Sequence, residues 1–243
     1  MKPAFMILSP ETGTEYSIYV EEPKGTRGPW PVVLFMDGDD QFAPAVDAYR
    51  KASEAGMVSP ILLIGVGYGA SYSKPANKRG RDYTQTAHSD EPTSGGAAVF
   101  MEFVTKTLWV ELTKRYSLDE KRRGIAGHSL GSLFVLYALW QQPLFFTHSA
   151  PSIWWDDRNI LQLAADRHAK SAALPARLFL SVGEKDSTSM TGDLALLELQ
   201  LTTKPFSGLD VTTRIFAHRT HFNVLPDAFR AGLEFLFPVG AIS

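Results

Sequence analysis

Apolar positions along the chain fall into alternating and continuous runs, and these predict two kinds of strand. Tyr16, Ile18 and Val20 alternate with Ser17, Tyr19 and Glu21, the period-two pattern of a strand with one face on a core. Phe5-Met6-Ile7-Leu8 is a shorter strand ahead of it. Val32-Val33-Leu34-Phe35-Met36 and Ile61-Leu62-Leu63-Ile64-Gly65-Val66 are apolar without interruption, as strands covered on both faces of a parallel sheet are. Further strands are expected at Arg123–Ala126, within Phe145–Ser152, and at Arg177–Val182 and Val211–Ala217. Helical spacing predicts helices over Ala43–Ala55, Ala97–Tyr116, Ser132–Trp140, Asn159–Ala173, Leu194–Thr202 and Pro226–Phe237, the last with proline in its first turn. In the longest, Val99, Phe100, Phe103, Val104, Leu108 and Leu112 form one stripe, which is read as core.

From residue 31 onward strand and helix alternate. That order predicts an α/β protein with a mostly parallel central sheet, antiparallel N-terminal strands and helices on both faces. No internal repeat or linker divides the chain, so residues 1–243 are expected to form a single domain. Tyr68–Ser94 lacks periodicity and is rich in charge. A stretch of that length without structure in a compact domain is more often functional than idle, the competing reading being a disordered insertion.

Composition narrows the classes. Lys and Arg number 24 against 26 Asp and Glu, a net charge of −2 with no basic stripe, which argues against a nucleic-acid partner. With no cysteine, thiol nucleophiles, disulfides and thiolate metal sites are excluded. The apolar run Ala4–Leu8 is too short for a signal segment, and no stretch approaches the ~18 apolar residues of a membrane span. A soluble, cytoplasmic chain with no membrane partner is expected, or a periplasmic one if a leader has been removed.

Candidate chemistry centres on Gly127-His128-Ser129-Leu130-Gly131, set between a strand and a helix. Gly-x-Ser-x-Gly in that setting is the nucleophile elbow, a turn so tight that side chains are excluded two residues either side of the serine. It also places Ser129 at a helix N-terminus, where free N–H groups favour negative charge. A serine hydroxyl needs a general base. His221 is favoured over His218, because it lies further into the loop before the closing helix and can fold back over the elbow. The base needs an acid to fix its tautomer. Asp186 is preferred, Glu184 is the runner-up and Asp193 a third choice. Ser129, Asp186, His221 is the chain order of an α/β-hydrolase triad. Two backbone donors would hold the oxyanion, the N–H of Leu130 and one from the turn after Met36, at Asp39, with Gly38 permitting the close approach.

These features resemble the esterase branch of the α/β-hydrolases whose better-known members include the siderophore (enterobactin-type) esterases, with S-formylglutathione hydrolases, feruloyl esterases and mycolyltransferases as more distant relatives. The resemblance runs from Pro31 to Phe237 and rests on Met36-Asp37-Gly38-Asp39, Arg81-Asp82-Tyr83-Thr84, Gly95-Gly96-Ala97, the elbow, Ser149-Ala150-Pro151-Ser152-Ile153-Trp154-Trp155, Val182-Gly183-Glu184 and His221-Phe222-Asn223-Val224-Leu225-Pro226. It implies the elbow serine, the late histidine and an oxyanion donor at Asp39. Many relatives carry a second glycine where Ser132 stands, and some siderophore esterases work with only a serine–histidine pair, which leaves the acid open.

The substrate expected is a small-molecule carboxylic ester, of siderophore, aryl or short-acyl type, cleaved through an acyl-serine without metal or organic cofactor. Trp154 and Trp155 are candidate wall residues, with adjacent side chains pointing opposite ways, alongside Arg81 and Tyr83 from the polar stretch. Lys78 and Arg79 are further cations there, and all could instead pair with Asp82 or Asp90. The alternatives are an acyltransferase or thioesterase on the same scaffold and, from another class, a non-catalytic binding protein.

Overall fold

A computed structural model describes residues 1–142 and 152–240 in full and Phe146–Ser149 as strand backbone. Among the described residues eight strands form one sheet: β1 (Phe5–Leu8), β2 (Glu15–Glu21), β3 (Trp30–Phe35), β4 (Leu62–Gly67), β5 (Leu118–Ala126), β6 (Phe146–Ser149), β7 (Ala173–Gly183) and β8 (Ser207–Phe216). Their spatial order is β1-β2-β4-β3-β5-β6-β7-β8. β2 runs antiparallel to both β1 and β4, and every neighbouring pair from β4 to β8 is parallel. The sheet is therefore mixed. Of the strand expected within Phe145–Ser152, Phe145, Ala150 and Pro151 lie outside the described residues.

Parallel neighbours need a crossover, and helices supply it. Helix α1 (Gly38–Glu54) joins β3 to β4, α5 (Leu130–Gln141) follows β5, α7 (Thr188–Thr203) joins β7 to β8, and α8 (Leu225–Leu236) closes the chain. The continuous apolar strands divide their side chains by parity. Val32, Leu34, Leu62, Ile64 and Val66 meet Phe100, Leu108, Phe134 and Ala138 on one face. Val33, Phe35 and Leu63 meet Phe42, Val46 and Tyr49 of α1 with Phe229 and Leu233 of α8 on the other. Further along, Leu178 and Leu180 of β7 pack with Leu194, Leu197 and Leu201 of α7.

Element limits differ from the periodicity where capping and charge, which periodicity does not register, decide them. α1 begins at Gly38 instead of Ala43, because Asp39 and Asp40 sit in its first turn, where acids complement the dipole. α7 begins at Thr188, ahead of Leu194, because the Ser187 hydroxyl accepts the Met190 N–H at 3.2 Å and caps it. The long helix over Ala97–Tyr116 is α3 (Ala97–Glu102) and α4 (Trp109–Arg115) with π-helical turns at Phe103–Leu108 between them. The polar stretch before it holds one short helix, α2 (Arg79–Asp82), and α6 (Asn159–Lys170) precedes β7. Among the described residues no helix is long and apolar enough to cross a membrane.

Because β3, β5, β7 and β8 run in parallel, their carboxyl ends share one rim of the sheet. Ligand sites in such sheets form there.

Candidate active site

All four of those strand ends carry residues of interest, and close backbone contacts fix how they meet. β5 ends at Ala126 and α5 starts at Leu130, which leaves Ser129 in the turn at φ 58°, ψ −124°. That conformation is costly for a residue with a side chain and persists only where the surroundings enforce it. They do so through the two glycines. A Cβ on Gly127 would lie 2.5 Å from the Gly131 carbonyl carbon, and one on Gly131 would lie 3.0 Å from both Asp37 Oδ2 and Met36 Cβ. The Ser129 carbonyl takes the N–H groups of Ser132 and Leu133 at 3.1 Å, starting the helix. Ser132, where many relatives carry glycine, is fully buried there. Among the described residues, no protein acceptor meets the N–H of Leu130.

The turn after β3 faces the elbow. Asp37 takes a left-handed conformation at φ 54°, and its carbonyl accepts the N–H groups of Asp40 and Gln41. The N–H of Asp39 is left without an acceptor among the described residues. Its carboxylate is turned away, bonded to the Tyr19 hydroxyl at 2.6 Å and the Tyr68 N–H at 2.5 Å. Backbone alone is therefore presented. Asp37 is wholly buried and is held by Arg79 through two bonds of 2.8 and 3.0 Å, and by Gln41 Nε2 at 3.2 Å. Burial pushes the Asp37 carboxyl upward, and the Arg79 charge opposes it. Removing one partner strands the other in the interior, so Arg79→Ala is expected to lower stability by about 3 kcal/mol in urea unfolding. A loss near zero would show that the pair does not hold this turn.

The third component comes from the loops after β7 and β8. Gly183 lets them touch, since a Cβ there would lie 2.5 Å from the Arg219 carbonyl oxygen. Lys185 N–H then donates to that same oxygen at 2.8 Å. Asp186 is pinned by the Ser187 N–H on Oδ1 at 2.7 Å, and the His221 loop by Asn223 Oδ1 accepting the Thr220 N–H at 2.7 Å. The result is a bond of 2.9 Å between His221 Nδ1 and Asp186 Oδ2. That pair is sheltered, with side chains 23% and 4% exposed; His218 and Glu184 meet at 3.6 Å with 84% and 53% exposed. Asp193 is turned to Arg158 at 2.6 Å. The geometry thus brings Asp186, and neither Glu184 nor Asp193, to the histidine. The His128 ring packs against His221 in a tilted contact, 4.3 Å between centroids and 42° between planes.

Ser129 and His221 line one cleft with two lobes. A lobe of about 520 Å³ runs past Trp154, Lys185 and Met190. Another of about 270 Å³ runs past Gln41, Tyr72 and Arg79. Phe222, 82% exposed, stands between them and borders both. The Ser129 hydroxyl lies 3.2 Å from Ser152 Oγ, and among the described residues no hydrogen bond joins it to His221. Such contacts are often loose until substrate binds.

The expected wall residues divide. Trp154 is half exposed and lines the larger lobe, whereas Trp155 is buried, its Nε1 donating to Thr86 at 3.2 Å. Arg81 is spent on Asp82 at 2.7 Å and on Thr14, and Tyr83 is wholly buried with its hydroxyl accepting the Asp37 N–H at 3.0 Å. Neither borders the cleft, which corrects the expectation that they form its wall. The reason is Asp82: buried and acidic, it takes the Arg81 guanidinium and the Tyr16 and Tyr68 hydroxyls into the body of the protein. Ser152, Met190, Tyr72 and Phe222 border the cleft without having been singled out as site residues. Ser152 and Phe222 did stand in the motifs beside Trp154 and His221; Met190 and Tyr72 carried no signal. Among the described residues no group of three or more His, Asp or Glu is placed to hold a metal ion.

The sequence profile of a family described as "Putative esterase" matches residues 9–221. The ferri-bacillibactin esterase BesA of Bacillus subtilis is 30% identical over 261 residues, covering 97% of this chain and 89% of that protein. A siderophore triacetylfusarinine C esterase of Aspergillus fumigatus is 30% identical over 171 residues, covering 65% of this chain and 58% of that one. In three dimensions the BES protein from Bacillus cereus superposes with a TM-score of 0.87 at 26% identity, over 96% of this chain and 93% of that one. With the profile spanning most of the chain and the relatedness extending along nearly all of it, the protein belongs to this esterase family and is a hydrolase acting on esters.

Proposed function

We propose that the chain is one α/β-hydrolase domain over residues 1–243, with a mostly parallel sheet and helices on both faces, and that it cleaves a siderophore-type carboxylic ester through an acyl-Ser129 intermediate. One observation carries the site assignment: a strained serine between a strand and a helix borders the same cleft as a histidine whose Nδ1 is bonded to a sheltered aspartate.

In this reading Asp186 accepts the His221 Nδ1–H, which leaves Nε2 as the basic nitrogen. Ser129 Oγ attacks the ester carbonyl carbon while Nε2 takes its proton. The carbonyl oxygen becomes an oxyanion and is met by the N–H groups of Leu130 and Asp39, both without an acceptor among the described residues. Collapse breaks the bond to the alcohol oxygen, which leaves with the proton from His221. Water then repeats the sequence on the acyl-serine and releases the acid.

The siderophore substrate is supported by the relatives named above, and the two-lobed cleft suits an ester with bulk on both sides of the scissile bond. The test is a comparison of a catecholate trilactone with p-nitrophenyl acetate and butyrate, each with Ser129→Ala as control. Ser129-dependent opening of the trilactone at higher kcat/KM than the simple esters is expected. Preference for the short acyl esters would remove the siderophore assignment.

A further inference from the structure

Among the described residues Ser152 is the one hydroxyl hydrogen-bonded to the nucleophile, and nothing in the scheme above uses it. It is 1% exposed, its backbone N–H donates to the Ser129 carbonyl at 3.2 Å, and its Oγ lies 3.2 Å from Ser129 Oγ. Two hydroxyls that close share one hydrogen bond, so the direction of donation matters. Ser129 borders the open cleft, where its proton can reach His221 or solvent. Ser152 stands in the wall of the same cleft but is only 1% exposed, and among the described residues Ser129 Oγ is the one hydrogen-bond partner of its hydroxyl. A buried donor left unmatched is costly, whereas an exposed one is not.

We infer that Ser152 is a positioning residue for the reaction, donating its O–H to Ser129 Oγ so that the nucleophile's own proton is left for His221. The inference rests on Ser129 being the nucleophile. Two consequences follow for the chemistry. During acylation, Ser129 Oγ gives its proton to Nε2 and the Ser152 bond tightens on an oxygen gaining negative charge. During deacylation, a water oxygen bonds to the acyl carbon and its proton goes to His221. The bond from that carbon to Ser129 Oγ then breaks, the electron pair returns to Oγ, and Oγ takes the proton back from His221. A donor already aimed at Oγ stabilises it as a leaving group. Hydrogen bonds to charged oxygen are stronger than those to neutral oxygen, so the effect is on the transition states more than on the resting enzyme.

The experiment is stopped-flow hydrolysis of a p-nitrophenyl ester, with the burst phase reporting acylation and the steady phase deacylation. Wild type, Ser129→Ala, Ser152→Ala and Ser152→Cys are compared, with thermal melts of each. Ser152→Ala is expected to slow both phases by about 10- to 100-fold with its melt unchanged. Ser152→Cys keeps the side-chain shape but replaces the hydroxyl with a weak donor, and is expected to be nearly as slow. A Cys variant as fast as wild type would assign the position to packing, and an Ala variant as fast or faster would show that the donation does not assist; either overturns the inference. Wild type with no advantage over Ser129→Ala would instead sink the nucleophile assignment itself.

Discussion

Ser129→Ala is expected to lower kcat by on the order of 10⁶, with His221→Ala close to it and the double variant no worse than either alone. The reason is that serine and histidine act as one unit. Without the hydroxyl there is nothing to attack with, and without the imidazole nothing removes its proton, so the second deletion has little left to take away. What survives is the catalysis by the oxyanion donors and the cleft, ~10³ over water. Steady-state kinetics of the three variants on one ester checks this. Additive losses would mean that the two residues work in separate steps and that their shared cleft is incidental. Folding should be unaffected by the first change, since among the described residues Ser129 Oγ makes one hydrogen bond, to Ser152.

Asp186→Asn is expected to lower kcat by about 10⁴. Its Oδ2 lies 2.9 Å from His221 Nδ1, holding the hydrogen on that nitrogen in the proposed scheme, and its Oδ1 accepts the Ser187 N–H. An amide in its place can present N–H to the ring, which would move the imidazole proton to Nε2 and turn the base into a donor. The exposed neighbour provides the control, because Glu184 meets His218 at the surface and away from the cleft. Glu184→Gln is expected to leave kcat within about twofold, as surface substitutions usually do. Equal losses from the two changes would return the choice of acid to the open state in which the sequence leaves it.

The residues legible from sequence are those whose chemistry is tied to backbone geometry. Gly127 and Gly131 are required by contacts of 2.5 and 3.0 Å, so their spacing around Ser129 survives as a readable pattern. The loops after β7 and β8 were readable because parallel strands place their ends on one rim, which puts Asp186 and His221 near the elbow from order alone. The antiparallel first strands were likewise expected, but the alternation in β2 does not mark one exposed face: Tyr16, Ser17, Ile18 and Tyr19 are all buried, Tyr16 and Ile18 in one core cluster and Tyr19 in another. Charge in the polar stretch was not legible in the same way. Arg79, Arg81 and Tyr83 look alike as candidate wall residues, and only the folded chain separates Arg79, which borders the cleft while bracing Asp37, from the other two, which are turned inward by Asp82 and Asp37. Ser152 was hidden for a different cause. Its place beside Ser129 depends on where the chain arrives after β6, and no local pattern records a contact between residues 129 and 152.

The central claim is that Ser129 is a nucleophile activated by His221. Labelling of the folded protein with a fluorophosphonate tests it most directly, read out by fragmentation of the tryptic peptide Gly124–Arg158, which also contains Ser132, Ser149 and Ser152. One adduct on Ser129, lost in His221→Ala, is the expected result. No adduct on the folded wild-type chain, or an adduct on another serine of that peptide, would contradict it.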